Sequence, residues 1–256
     1  MTDYVDETRK LLGKVHDECL NQLKHLRFNP DGDNQVVTIS LYCSLVEYVG
    51  ALLALTDKQR RTGFSSVFRS YLEGCAELKN LLSDDDFYFR KEAIYHREWF
   101  RVLKNVGPDN PYLKGICESE NLAERTAKHS DRLKELEREG HPPMSIKKSF
   151  YKAGMKAEYD ALYNFESGEA HNDIRALRKR NVKLDAAGKA TVEAYMVPSP
   201  NYYLARLDHS LVLLLELSEV IHDHVKSKGK DAFKPHREAM DKLHADALAA
   251  DTGAQT

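Results

Sequence analysis

The chain has 256 residues, enough for one large domain or two small ones and enough to bury a core without disulfides or a structural metal. Hydrophobic residues make up 42% and charged residues 30%, a balance that excludes an intrinsically disordered chain. With 38 Lys and Arg against 40 Asp and Glu, the formal charge of −2 excludes a global basic field, so any binding to nucleic acid has to be local.

The pattern is helical almost throughout. From Tyr4 to Leu26 apolar residues recur every three or four positions, which predicts an amphipathic helix. Pro, Gly, Asp and Asn crowd Phe28–Asn34 and predict a turn. A second helix over Val37–Leu55 carries a single charge, Glu47, and is expected to be buried on more than one side. A break at DKQRRTG precedes a third helix, Phe64–Leu82, with Val67, Phe68, Tyr71, Leu72, Cys75 and Leu78 in its stripe. Asp84, Asp85 and Asp86 open a fourth, where carboxylates suit the positive end of the helix dipole, and VGPDNP ends it. A polar surface helix is expected over Glu118–Glu139, then a break at GHPP and a basic segment holding Lys147, Lys148, Lys152 and Lys156. One continuous helix is expected over Ala157–Arg180, and Thr191–Val197 reads as a loop or short strand. The helix over Asn201–Val225 is the most apolar and is expected at the centre of the core. A last helix covers Phe233–Ala249. The expectation is therefore an all-α bundle of about eight helices, a single domain over residues 1–250 with residues 251–256 as a disordered tail.

The four cysteines, Cys19, Cys43, Cys75 and Cys117, include no Cys-x-x-Cys pair and read as reduced buried thiols of a cytosolic protein. The start MTDYVDETRK lacks the basic and apolar regions of a signal peptide, and the longest apolar runs, Gly50–Leu55 and Leu211–Leu215, fall well short of the ~20 residues that span a bilayer. A cytoplasmic location without membrane association is expected. No cofactor is expected either. A di-iron bundle needs two Glu-x-x-His elements and the chain offers one, Glu219–His222, while His222 and His224 point to different faces of a helix.

Two constellations could carry chemistry. Arg69 and Glu73 stand one turn apart on the third helix, about 140–180° from its apolar stripe on a helical wheel, either as a solvated ion pair or as a polar face turned toward another helix. On the expected helix Ala157–Arg180, Tyr159, Tyr163, Ser167 and His171 are spaced by four and form a polar-tipped ridge beside Leu162, Ala170, Ile174 and Leu177. Ser167 and His171 lack the elbow and carboxylate of a serine hydrolase, which leaves His171 as a structural, acid/base or phosphate-contacting imidazole. Arg175, Arg178, Lys179 and Arg180 follow it. They either complement the helix dipole or form a phosphate-binding edge, extended by Lys147, Lys148 and Lys152 with Phe150 and Tyr151 interleaved for base stacking.

FRSYLEGCAELKNLL at Phe68–Leu82, followed by YDALYNFESGEAHND at Tyr159–Asp173, resembles an uncharacterised bacterial family of HEPN-like helical proteins. In that family an Arg-x-x-x-Glu helix precedes a Tyr-rich helix ending in Ser-x-x-x-His, and the matching positions here are Arg69, Glu73, Tyr163, Ser167 and His171. The resemblance spans about Val37 to Arg180. It implies a HEPN-like core, a homodimer, RNA as partner, and a metal-independent RNase in stress or phage defence, with a toxin–antitoxin or defence-system protein as a further partner. It also implies that Arg69 and Glu73 face a polar pocket shared with His171.

The chain departs from the HEPN catalytic signature, an arginine separated from the histidine by four to six residues, since Asn164, Phe165 and Glu166 hold those places before His171. Nothing ahead of His171 supplies it, and Arg175 comes after. Arg9–His16, Arg90–His96 and Arg237–His244 have comparable spacings, which chance alone supplies in a chain of this composition. Two readings result: an RNA-directed protein, with His171, Arg69, Glu73 and Ser167 as the catalytic candidates, or a helical scaffold in which Arg69, Glu73 and His171 form a structural network.

Overall fold

Residues of α-helical spacing cover most of the chain, and no proline of the described residues stands in a helix beyond its first turn, where Pro200 and Pro235 are tolerated. The computed structural model describes residues 2–107, 109–117 and 121–253 and is 77% helix and 2% strand, which makes the protein all-α. The helices are α1 (Thr2–Gln22), α2 (Asp33–Asp57), α3 (Arg61–Ser83), α4 (Phe87–Lys104), α5 (Lys114–Cys117), α6 (Leu122–Arg138), α7 (Ile146–Lys152), α8 (Lys156–Glu158), α9 (Asn164–Ala170), α10 (Ile174–Asn181), α11 (Pro200–His224) and α12 (Lys234–Gly253). A π turn, Tyr159–Tyr163, joins α8 to α9.

The core lies where α1, α2, α3 and α11 meet. Leu12, Val15 and Cys19 of α1, Tyr42, Leu45 and Val49 of α2, Phe64, Phe68, Leu72 and Leu78 of α3, and Leu207, Leu211 and Leu214 of α11 have no exposed surface. The α3 stripe is therefore the expected one. Gly74 lets α3 approach α2 closely, since a Cβ there would stand 2.7 Å from Leu45 Cδ2. Tyr42, Ser218 and Cys19 share a buried hydrogen-bonded cluster, with Tyr42 Oη 2.8 Å and Cys19 Sγ 3.2 Å from Ser218 Oγ. Burial pushes the Cys19 thiol up.

α2 is long and apolar enough to cross a bilayer, although its uninterrupted apolar runs are short, because Thr, Ser and Tyr lower its hydropathy only slightly. In this fold its apolar residues pack against α3, α1 and α11.

The helices outnumber the expected eight for two reasons. The segments Lys114–Cys117 and Ile146–Lys152 fold as the short helices α5 and α7, and the span expected as one helix over Ala157–Arg180 is broken twice. Ser145 starts α7 by accepting the Lys148 N–H, although the segment is too short to show a helical period. Of the expected extended stretch Thr191–Val197 only Thr191 and Val192 are strand, in β2 (Ala190–Val192), which pairs antiparallel with an unexpected β1 (Val182–Leu184), Lys183 opposite Thr191. α12 continues to Gly253, past the expected start of the tail, and residues 254–256 lie outside the described residues, as does the expected start of the polar helix at Glu118.

Candidate functional site

α3 turns its polar face toward the π turn. Arg69 Nη2 donates to Tyr163 Oη at 2.7 Å, Tyr163 Oη donates to Glu73 Oε1 at 2.7 Å, and Arg69 Nη2 closes the triangle on Glu73 Oε1 at 2.7 Å. Arg69 and Glu73 are thus an i,i+4 pair turned inward and roofed by a tyrosine. Burial pushes the Tyr163 phenol up to about 12, reinforced by its hydrogen bond to the Glu73 carboxylate. The Tyr163 ring stacks on Tyr159, centroids 5.2 Å apart, and leans on buried Phe150, which orients the hydroxyl toward α3.

Ser167 and His171 do not join this triangle. α9 stops at Ala170 because Asn172 takes a left-handed conformation, φ 58°, and Asp173 starts α10 by accepting the Ala176 N–H at 2.6 Å. His171 ends α9 as an exposed residue whose ring has no hydrogen bond among the described residues, and its backbone N–H donates to the Ser167 carbonyl. The four-residue ridge expected from the sequence requires an unbroken helix, which the π turn and the Asn172 break remove. Ile174 and Leu177, expected on its apolar side, are exposed.

The inner face of α9 carries an ionic cluster that periodicity did not single out. Glu166, with no exposed surface, accepts at Oε1 from Arg206 Nε at 2.7 Å, and Arg206 Nη2 lies 2.6 Å from the same oxygen as an ion pair. Burial holds the Glu166 carboxyl above the usual range despite Arg206 beside it. Glu169 accepts from Arg61 Nη2 at 2.9 Å, and Ser65 and Tyr202 hydroxyls meet at 2.6 Å nearby. The available signal was the three-residue spacing of Tyr163, Glu166 and Glu169, one helical face, together with an arginine set into the apolar run of α11.

Of the basic residues, Arg175, Arg178 and Lys179 stand exposed on the outer side of α10. Arg180 does not belong with them. One turn beyond Ala176 on the inner side, it is 5% exposed and donates to the Glu169 carbonyl at 3.0 Å and to Asn172 Oδ1 at 2.5 Å. Lys147 and Lys148 are exposed on α7, but Phe150 is fully buried and cannot stack on a base. Tyr151 is partly exposed and lies under the Lys147 and Lys156 ammonium groups, 5.4 and 5.7 Å from its ring centre.

Among the described residues no three His, Cys, Asp or Glu gather as a metal set. Glu219 pairs with Arg237 at 2.9 Å and His222 meets Ser227 Oγ at 2.9 Å, so the one Glu-x-x-His element has other partners. The Arg-to-His spacings are likewise engaged elsewhere: Arg9 with Asp57, His96 with His129, His244 with Asp208.

The sequence model of a family of unknown function, DUF5677, matches residues 35–189, which hold the Arg69–Glu73 and Ser167–His171 elements alike. The chain belongs to this family. Its DUF5677 segment runs from α2 to the β1–β2 turn, leaving α1, α11 and α12 to complete the core outside it. No curated protein and no solved structure matches the chain.

Proposed function

We propose that this DUF5677 protein is a HEPN-like helical protein that binds RNA, gripping the phosphate backbone along the outer edge of α10. One observation carries the reading: Arg175, Arg178 and Lys179 are exposed within five residues of one helix and none has an ion-pair partner among the described residues. Other exposed cations also stand without an ion-pair partner among the described residues, such as Lys147 and Lys148 on α7, whereas Arg132 pairs with Glu92 and Glu135 and Lys134 with Asp131; on α10 three fall together on one helix. Unmatched cations in a row suit a polyanion, because each phosphate contact releases condensed counterions. Phe165, partly exposed beneath Arg175, offers a ring on the same edge for base stacking.

Binding is better supported than cleavage. An RNase reading needs an arginine beside His171 to hold the scissile phosphate, and Arg175 lies across the helix break, over Phe165. The closed triangle with Tyr163 favours a structural role for Arg69 and Glu73.

The test is fluorescence anisotropy with labelled single-stranded RNA over a range of salt. Affinity is expected to fall linearly on a log–log plot, and the Arg175→Ala/Arg178→Ala/Lys179→Ala variant to lower the slope by about 2, three contacts at roughly 0.7 each. No binding at low salt, or an unchanged slope in the variant, overturns the reading in favour of a scaffold. Cleavage in EDTA that His171→Ala abolishes replaces it with the RNase reading.

A further inference from the structure

The turn from α2 into α3 ends in a left-handed residue, Gln59 at φ 53°, with the Arg60 N–H reaching back to the Leu55 carbonyl at 2.8 Å. This places Arg60 at the N-cap of α3. An arginine side chain cannot accept a hydrogen bond, so no side chain caps the helix, and the first-turn N–H groups of Arg61, Thr62 and Gly63 have no acceptor among the described residues.

The residues that carry these amides line a pocket of about 170 Å³. Arg60 and Arg61 form one wall, Arg180 and Asn181 another, and Tyr195 and Met196 cover it. The cover is pinned by a reciprocal pair: Glu193 N–H donates to the Asn181 carbonyl at 3.0 Å, and Asn181 Nδ2 donates to the Glu193 carbonyl at 3.1 Å. Arg60 stacks on the Tyr195 ring, 4.3 Å from its centre.

The charge in this pocket is unbalanced. Arg180 is a buried guanidinium whose two hydrogen-bond acceptors, the Glu169 carbonyl and Asn172 Oδ1, are both neutral, and its Nε has none. Arg60 has no carboxylate partner among the described residues. Arg61 meets the one carboxylate nearby, Glu169, through Nη2, and its Nε is also without an acceptor. No acidic residue lines the pocket. A buried cation without a carboxylate on it is costly, and a pocket lined by Arg60, Arg61 and Arg180 beside an uncapped helix start suits a small tetrahedral dianion.

We propose that this pocket binds a phosphate monoester, held by Arg60, Arg180 and the first-turn amides of α3. The site lies on the inner side of α10, away from Arg175, Arg178 and Lys179, and does not depend on the RNA reading. The source of the phosphate is either inorganic phosphate or a nucleotide whose base reaches Tyr195 at the rim.

Calorimetric titration with inorganic phosphate, uridine 5′-monophosphate and uridine tests it. The two phosphates are expected to bind and uridine not to. Tighter binding of the monophosphate than of phosphate assigns the nucleotide as source, and equal binding assigns the free anion. Arg60→Ala is expected to weaken binding about tenfold or more, the loss of one charge-assisted hydrogen bond, with melting temperature unchanged because Arg60 is exposed. Arg180→Lys keeps the charge but loses the fork, and is expected to weaken binding as well. No heat with either phosphate at millimolar concentration, or wild-type affinity in Arg60→Ala, overturns the proposal. Monophosphate binding without RNA binding overturns the RNA reading alone.

Discussion

Glu166 meets Arg206 at a single carboxylate oxygen, through a hydrogen bond from Nε and an ion-pair contact with Nη2, and its other oxygen, buried, has no partner. The pair ties α9 to the second turn of α11, forty residues away in sequence, and so fixes the surface on which Tyr163 and Arg180 sit. Deleting one partner leaves the other charge buried and alone. Glu166→Ala is expected to cost about 3–5 kcal/mol in urea denaturation, while Glu166→Leu combined with Arg206→Met recovers most of it. A loss in Glu166→Ala below about 1 kcal/mol, the range of exposed pairs, would contradict this view of the cluster.

The triangle of Arg69, Glu73 and Tyr163 depends on one hydroxyl. Tyr163→Phe keeps the ring stack on Tyr159 and Phe150 but removes both a donor to Glu73 and an acceptor for Arg69. A loss of about 1–3 kcal/mol is expected because part-buried partners are left unsatisfied. In the wild type the Tyr163 phenol should ionise at about 12, above the ordinary tyrosine value of 10.0, in an ultraviolet pH titration compared with Tyr163→Phe. If Tyr163→Phe removes an early-titrating component instead, the burial argument fails.

The long helices were legible because each shows one apolar stripe over several turns. Phe64, Phe68, Tyr71, Leu72, Cys75 and Leu78 are all buried, as their spacing on α3 predicts. The wheel also set Arg69 and Glu73 opposite that stripe, yet it could not say whether solvent or another segment lay there. The burial of Glu166, Glu169 and Arg180 had only a faint signal, the three-residue spacing of Tyr163, Glu166 and Glu169. A periodicity argument sends charges to solvent, and only a partner distant in sequence, Arg206 or Arg61, makes an inward carboxylate tolerable. The break at Asn172 had local signals, an Asn able to turn left-handed and an Asp able to cap, but nothing as strong as a proline.

Gly168 and Asp173 sit against each other across that break. A Cβ on Gly168 would stand 2.5 Å from Asp173 Oδ2, while Oδ1 of the same carboxylate caps α10. Asp173→Ala is expected to cost about 1 kcal/mol through the lost cap. Gly168→Ala gains up to about 1 kcal/mol of helix propensity only where the carboxylate is absent, so it should stabilise the Asp173→Ala background more than the wild type. Equal effects in both backgrounds would show that the carboxylate moves aside freely.

His222 gives the fold a pH dependence of definite sign. Its ring is buried between Tyr42 and Phe233, Nδ1 meets Ser227 Oγ at 2.9 Å, and Nε2 has no partner. Burial, with His25 nearby, holds it down at about 4 against an ordinary 6.5. Between these values the unfolded chain binds a proton that the folded chain does not, so stability falls as pH drops through the window from 6.5 to 4. The buried ring contributes up to ~3 kcal/mol of this loss, at 1.36 kcal/mol per unit. His96, His129 and His209, also depressed chiefly by burial, add with the same sign. Urea denaturation of His222→Gln at a series of pH values should therefore give a slope shallower than the wild type by up to one proton, the remainder being the sum of the other histidines and of shifted carboxyls such as Glu166, whose raised value acts with the opposite sign. An unchanged slope would mean that the His222 ring takes up its proton as readily folded as unfolded.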